Sequence, residues 1–337
     1  MSHITSLYVH KVLSEVSAGV QTEDLLERLG MKPSAPIDPK LMVASDAYYD
    51  FFADLSARDP EGLSLPFRIG AAMRSDDYGA FGLAWKSAPN LRGSYARSER
   101  YGRVLGSAEV YTLQEIREGW FFNLEKAGDA CLGQQLSNEA SMSAVNAISQ
   151  EVSTASFAPL AIYFKHAPRG DRAVYERHFG CPVHFMSGRD ALLVREESID
   201  APNKLGDETI ARFFDQHLER ELAHVAEDQK LEQDVRRAVT TLLSEGVPTL
   251  SLIATELGLG TRTLQRRLSD NGHTFQSVVD LARKDLAQRL LRETTYSLAE
   301  IAFLTGFAEQ SGFTRAFKRW AGQTPRSYRL GVVPAKV

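Results

Sequence analysis

Apolar positions near the start of the chain, Leu7, Val9, Val12, Leu13 and Val16, fall close to helical spacing, with Gly19 placed to stop the helix. The same pattern predicts helices over residues 46–57, 65–73 and 94–105, while residues 31–40, with three prolines, predict a loop. The period then changes to two. "EVYTLQEIREGWFFNLE" predicts strands over residues 110–116 and 120–125, joined at Glu118-Gly119. A helix over 138–154, a strand over 160–167, a short helix over 172–178 and two strands in "CPVHFM" and "DALLVREES" follow. Together these describe an α+β (mixed α/β) domain over residues 1–205. A charged helix within 206–229 reads as a connector, and the boundary is placed near Gln229. Residues 230–330 show helical periodicity throughout, an all-α domain.

Within that helical region one unit occurs twice. "IATELGLGTRTLQRRLSDNGHTF" begins at Ile253 and "IAFLTGFAEQSGFTRAFKRWAGQTPRSYR" at Ile301, 48 residues later. Gly258 aligns with Gly306. One residue is then inserted, so that Leu264, Arg266 and Leu268 align with Phe313, Arg315 and Phe317. Each copy predicts a short helix, a glycine turn and a second helix, over about 250–270 and 298–321. Thr249 or Ser251 leads the first helix, and Thr261 is placed to cap the second, which ends near Asp270. In the later copy Ser297 and Glu300 form a capping-box pattern, Gly306 makes the turn, and a helix is expected from about Glu309 to Ala321.

The two second helices separate cleanly into faces. Phe313, Ala316, Phe317 and Trp320 make one apolar stripe, opposite Gln310, Ser311, Thr314, Arg315 and Lys318. In the earlier copy Leu264 and Leu268 point inward, with Arg262, Gln265 and Arg266 outside. Arg can fork onto guanine, Gln onto adenine, and Ser, Thr and Lys onto bases or phosphate. Neither face has an acidic residue at its centre, as a phosphate-facing surface requires. One basic face opposite an apolar stripe is ordinarily a solvated surface. Two, each after a glycine turn, fit recognition helices about 34 Å apart entering successive major grooves.

Charge sharpens this picture. The formal net charge of −4 conceals 15 Lys/Arg against 10 Asp/Glu between Lys230 and Leu330, and 23 against 33 before them. An acidic body with a basic tail suits a nucleic-acid binder with a separate sensing module. Composition is otherwise ordinary, 43% hydrophobic and 24% charged. No apolar run approaches the roughly 20 residues of a membrane span, so no membrane partner is expected. The N-terminus shows no secretory signal, and two cysteines, Cys131 and Cys181, make no disulfide framework. A cytoplasmic protein is expected.

Enzymatic and metal chemistry find little support. His178, Cys181 and His184 have a spacing that could hold a metal, but a structural zinc needs four ligands, and their apolar surroundings favour a core role. "GLGTRT" from Gly258 lacks the third glycine and preceding strand of a dinucleotide site. No G-x-S-x-G, H-E-x-x-H or P-loop occurs. The expectation is no catalytic residue, no metal and no cofactor.

The segment from Leu231 to Tyr328 resembles the DNA-binding domain of the AraC/XylS family of bacterial transcription regulators. It carries the I-A-x-x-x-G-F opening, the F-x-R-x-F-K-R-W helix and the G-x-T-P-x-x-Y-R close intact, together with "IATELGLGTRTLQRRL" and the linker-helix segment "ARKDLAQRLL". By position the resemblance puts base-reading residues at Arg262, Gln265 and Arg266 and at Gln310, Ser311 and Arg315. Gly312 departs from it: the family usually has a small helix former there, and a mid-helix glycine costs roughly 0.5–1 kcal/mol.

The first two hundred residues resemble the arabinose-binding-like effector domain of regulators of the ornithine-utilisation type, through "DYGAFGLAWKSAPNL", "ERYGRVLGSAEVYTL" and "HFGCPVHFMSGRDALLV". That implies a small-molecule pocket and a role in dimerisation. Tyr78, Trp85, Trp120 and Phe122 with Arg117 are candidate effector residues, aromatics plus a cation suited to an organic acid or amino acid, although such clusters more often serve as core. The resemblance implies a homodimer on double-stranded promoter DNA, contact with RNA polymerase, and activation as the commoner habit. Two alternatives stay open. The N-terminal domain only dimerises or binds a protein partner, or an enzyme is fused to the DNA-binding domain. The second of these would need a cysteine-rich zinc module that two cysteines cannot build.

Overall fold

The computed structural model describes residues 2–31, 41–107, 109–126, 131–270 and 273–332. The loop expected over 31–40 lies, apart from Met31, outside them. The chain divides into two compact units, Met1–Val225 and Ala226–Val337.

In the first unit a small antiparallel pair, β1 (His3–Thr5) and β2 (Met42–Ala44), accompanies helices α1 (Ser6–Ser14), α2 (Glu23–Arg28), α3 (Ser45–Arg58), α4 (Leu65–Ala72), α5 (Gly79–Ser87) and α6 (Leu91–Tyr101). Local chemistry sets several ends. Thr5 Oγ1 accepts from Leu7 N (3.3 Å) at the start of α1, and Asn90 Oδ1 from Gly93 N (2.9 Å) at the start of α6. Strands β3 (Glu109–Ile116) and β4 (Gly119–Lys126) are followed by α7 (Leu132–Val152), β5 (Ala161–Tyr163), α8 (Arg172–Phe179), β6 (Val183–His184), β7 (Asp190–Val194) and α9 (Glu196–Ile199). The five-stranded sheet has the order β3-β4-β7-β5-β6, antiparallel except for β5–β6.

Several elements differ from expectation for identifiable reasons. The hairpin turn is Arg117-Glu118, because Gly119 already pairs with Ile116. A side chain at Gly119 (φ +146°) would meet the Val194 carbonyl at 2.2 Å, so only glycine fits there. α7 starts six residues before the expected 138. Its first turns are small and polar yet buried, with Asn138 Nδ2 bonded to Asp190 Oδ2 at 2.9 Å, so they show no apolar stripe. α7 runs between two hydrophobic clusters, giving Leu136 and Ala140 to one and Met142, Ala144 and Ile148 to the other. Its small residues allow close approach: a Cβ on Gly70 of α4 would lie 2.3 Å from Ser143 Cβ. Of the strand expected over 160–167 only residues 161–163 are regular strand, although Leu160 N and Phe164 N still donate to the Leu193 and His184 carbonyls (both 2.8 Å), and residues 196–199 turn helical instead of extending β7.

A long helix, α10 (Glu208–Leu242), continues past Gln229, and the division between the units falls inside it. The second unit adds α11 (Leu250–Glu256), α12 (Thr261–Asp270), α13 (Phe275–Glu293), α14 (Leu298–Leu304), α15 (Gln310–Ala321) and α16 (Pro325–Val332). Two cores hold it. Ile253, Leu264, Leu268, Val278 and Val279 pack with Val235, Val239 and Leu243. Separately, Ile301, Ala302, Phe313 and Phe317 pack with Ala287 and Leu291.

Candidate nucleic-acid interface and a cavity in the first unit

The earlier repeat folds as α11, a turn and α12. Thr249 Oγ1 caps α11 by accepting from Leu252 N at 3.2 Å. Gly258 takes φ +67°, and Leu259 N then donates to the Ala254 carbonyl at 2.8 Å, closing the turn. Thr261 is the first residue of α12 and not its cap, since the Gly260 carbonyl already accepts from Leu264 N at 3.0 Å. Leu264 and Leu268 are buried, while Arg262, Gln265 and Arg266 are exposed. Among the described residues these three have no hydrogen-bonding or ionic partner. The neighbouring Arg267 is turned away and paired with Asp228 of α10 at 2.6 Å.

In the later repeat the Ser297–Glu300 capping box forms at both ends, with Glu300 N donating to Ser297 Oγ (3.2 Å) and Ser297 N to Glu300 Oε2 (2.7 Å). Gly306 takes φ +74°. Arg283 of α13 fastens this turn: its Nε donates to the Thr305 carbonyl at 3.0 Å, its Nη2 to the Gly306 carbonyl, and its guanidinium lies 4.1 Å from the Phe307 ring centre. Phe313, Ala316 and Phe317 are buried and Trp320 half-buried, as the stripe requires. Gln310, Arg315 and Lys318 are exposed and, among the described residues, unpaired.

Two hydroxyls on this face are engaged. Ser311 Oγ donates to Glu309 Oε2 at 3.1 Å, and the half-buried Thr314 Oγ1 donates to the Gln310 carbonyl at 2.9 Å. Glu309, expected as the first residue of this helix, stands one position before it, at the N-cap. Gly312 is the third residue of α15, in its first turn and not at its middle.

In the first unit a cavity is walled by Tyr8, Tyr48, Tyr78, Trp85, Tyr111 and Glu109, with aliphatic side chains from α4 and α7. Glu109 is 4% exposed, and its carboxylate accepts from Lys126 Nζ (2.9 Å) and Tyr111 Oη (2.7 Å). Burial, with the Glu109 charge second, drives the Tyr8, Tyr48, Tyr78 and Tyr111 hydroxyls well above their usual range, so they stay protonated at neutral pH.

Of the five candidate effector residues, Tyr78 and Trp85 line this cavity. The other three do not. Arg117 is exposed at the tip of the β3–β4 hairpin. Trp120 is covered by the Arg92 guanidinium 4.1 Å from its ring centre. Phe122 is sealed in the core, stacked on Tyr95 (4.6 Å) and Tyr111 (5.3 Å). Among the described lining residues the charged one is Glu109, which shares a strand face with Tyr111 by the alternation of β3, a signal visible in "SAEVYTL".

His178 Nε2 bonds Ser143 Oγ at 2.8 Å and stacks on Phe67, and burial lowers its pKa; burial pushes the Cys181 thiol up to about 11. His184 stacks on Tyr163 instead. Among the described residues no three His, Cys, Asp or Glu side chains gather as metal ligands, and no helix is long and apolar enough to cross a membrane.

Comparison with known proteins agrees with both halves. Residues 19–203 match the arabinose-binding domain of AraC transcription regulator, N-terminal, and residues 253–331 match a helix-turn-helix domain. The chain is 29% identical over 268 residues to the ornithine utilization regulator of Pseudomonas aeruginosa, covering 79% of this chain and 78% of that one. It is 26% identical over 334 residues to an uncharacterized HTH-type transcriptional regulator of Mycobacterium tuberculosis, covering 96% and 95%. With the HTH-type transcriptional regulator VirS of the same species it shares 32% identity over 166 residues, 49% of this chain and 48% of that one.

Proposed function

The chain belongs to the AraC family of transcription regulators, with its arabinose-binding type of N-terminal domain and a helix-turn-helix DNA-binding domain, and from that premise we propose that it is an effector-responsive activator without catalytic activity. In this proposal α12 and α15 each enter a major groove of double-stranded promoter DNA. Arg262, Gln265 and Arg266 read one half-site; Gln310, Ser311 and Arg315 read the other. Lys318 pairs with phosphate. Thr314, whose proton is held by Gln310, serves as an acceptor. Ser311 exchanges Glu309 for DNA on binding.

One observation carries this: two helices of the same repeat each bury an apolar stripe and leave arginine and glutamine side chains exposed and unpaired. A guanidinium without a protein partner has no protein bond to break before it meets a base edge. The cavity lined by Tyr78 and Trp85 is the proposed effector site, and the regulator acts as a homodimer that contacts RNA polymerase. Footprinting of the gene's own upstream region tests the reading. Two protected segments about one helical turn apart, weakening steeply with salt, are expected. Salt-insensitive or sequence-independent protection would overturn it.

A further inference from the structure

We propose that the cavity takes an uncharged, mainly apolar small molecule that donates one hydrogen bond to Glu109, an alcohol or phenol rather than an acid, an amine or a sugar. The inference rests on the proposal that this cavity is the effector site. Its ground is the charge balance of the wall. Glu109 and Lys126 are both buried, 5% and 1% exposed at the side chain, and pair with each other at 2.9 Å. Lys126 Nζ also donates to Ser137 Oγ at 2.6 Å. The pair is thus neutral as a whole and closed on itself.

An entering carboxylate would meet Glu109 with no free cation, for no arginine or lysine lines the cavity among the described residues. A buried charge without a partner is strongly disfavoured. An entering ammonium would meet a carboxylate already neutralised by Lys126. An uncharged donor has neither problem. A carboxylate offers about four lone-pair sites, and Tyr111 and Lys126 fill two of those on Glu109.

The tyrosine hydroxyls are partly spoken for. Tyr111 Oη already donates to Glu109, and among the described residues Glu109 is the one carboxylate in the wall, the strongest acceptor a ligand would meet there. Four serines, Ser75, Ser98, Ser137 and Ser141, also reach the wall, each already hydrogen-bonded within the protein, and the rest is aliphatic or aromatic. A polyol would strand most of its hydroxyls against such a surface.

The test is titration and thermal unfolding of the full chain with compounds matched in skeleton: phenylpropanol, phenylpropanoate, phenylpropylamine and propylbenzene, a parallel hexyl series, and arabinose. Alcohols are expected to bind at least about tenfold more tightly than the acid or amine of the same skeleton. Val145→Phe, filling the cavity from α7, should abolish binding, with Ser141→Leu as a second filling variant should the first unfold. In the double variant Glu109→Leu, Lys126→Met, which removes both charges together, the preference of alcohol over hydrocarbon should vanish while hydrocarbon binding persists. If an acid, the amine or arabinose ranks first and Val145→Phe still blocks it, the ligand class is wrong and the effector site stands. If nothing binds, or binding ignores both filling variants, the effector-site reading fails with it.

Discussion

The two helix-turn-helix units share a repeat but are held by different parts of the chain. The first completes an aliphatic core with α10: Val235 and Val239, with Leu243 just beyond its end, pack with Leu264 and Leu268, and Asp228 pairs with Arg267 on the recognition helix itself. The second takes no side chain of α10 into its core. It is aromatic, with Phe313 and Phe317 ring centres 5.8 Å apart, Tyr328 of α16 5.4 Å from Phe317, and Arg283 of α13 fastening the turn. The same outer face is therefore presented from two supports, one completed by α10 and the other by the C-terminal half of α13 and by α16. A change in α10 reaches the first recognition helix directly; it reaches the second only through α13, by the Arg236–Asp285 pair, and through Leu243 beside Gly306.

The sharpest way to break this contrast is to remove a ring. Phe317→Ala should cost about 3–5 kcal/mol, the usual loss for a fully buried phenylalanine. Hydrogen exchange should then rise across α14–α16 while α11 and α12 keep their protection, and one half-site should vanish from the footprint. Joint loss of protection in both units would show that they are one cooperative block.

Next in size are the reading faces. Arg266→Ala and Arg315→Ala should each weaken binding to a specific site by about 1–3 kcal/mol and relax base preference at one position. Arg315 should be the costlier loss. On α15 the Ser311 and Thr314 hydroxyls already hold protein partners, whereas Arg262 and Gln265 stand free beside Arg266. Equal losses measured by binding titrations at fixed salt would remove that distinction.

Smaller still is the tie between α10 and α12. Arg267→Met should cost no more than about 1 kcal/mol, because the pair is partly solvated, 30% and 26% exposed. Its effect should appear as weaker protection at the first half-site alone. An equal weakening of the second half-site would mean that α10 supports both units.

How much of this was legible in the sequence follows the same divide. Both repeats, their glycine turns and their faces could be read, because amphipathic periodicity and positive-φ glycines are local signals. Most element positions in the first unit were legible too. What escaped depends on contacts distant in sequence. The buried start of α7 is polar because Asn138 meets Asp190. Arg117 and Trp120 are effector candidates in the sequence, but the β3–β4 register sets Arg117 at a hairpin tip and Arg92 covers Trp120. Glu109 was one residue type in an alternating strand, and only the fold pairs it with Lys126.

The smallest effect falls on Gly312, where the family resemblance expects a helix former. Since Gly312 lies in the first turn of α15, it costs less than a glycine in mid-helix, and the space around it is open. A Cβ there would make one ordinary contact, 3.7 Å from Phe307 Cδ1. Gly312→Ala should therefore stabilise the second unit by up to about 0.5 kcal/mol, mainly by restricting the unfolded chain. Chemical denaturation would register a slightly higher midpoint at unchanged slope. The added methyl leaves Gln310 and Arg315 free, so affinity for DNA should hold or rise slightly. A fall in affinity with stability unchanged would mean that α15 must flex at its first turn to seat Gln310 and Ser311, a requirement that α12, which has no glycine between Thr261 and Asp270, does not share.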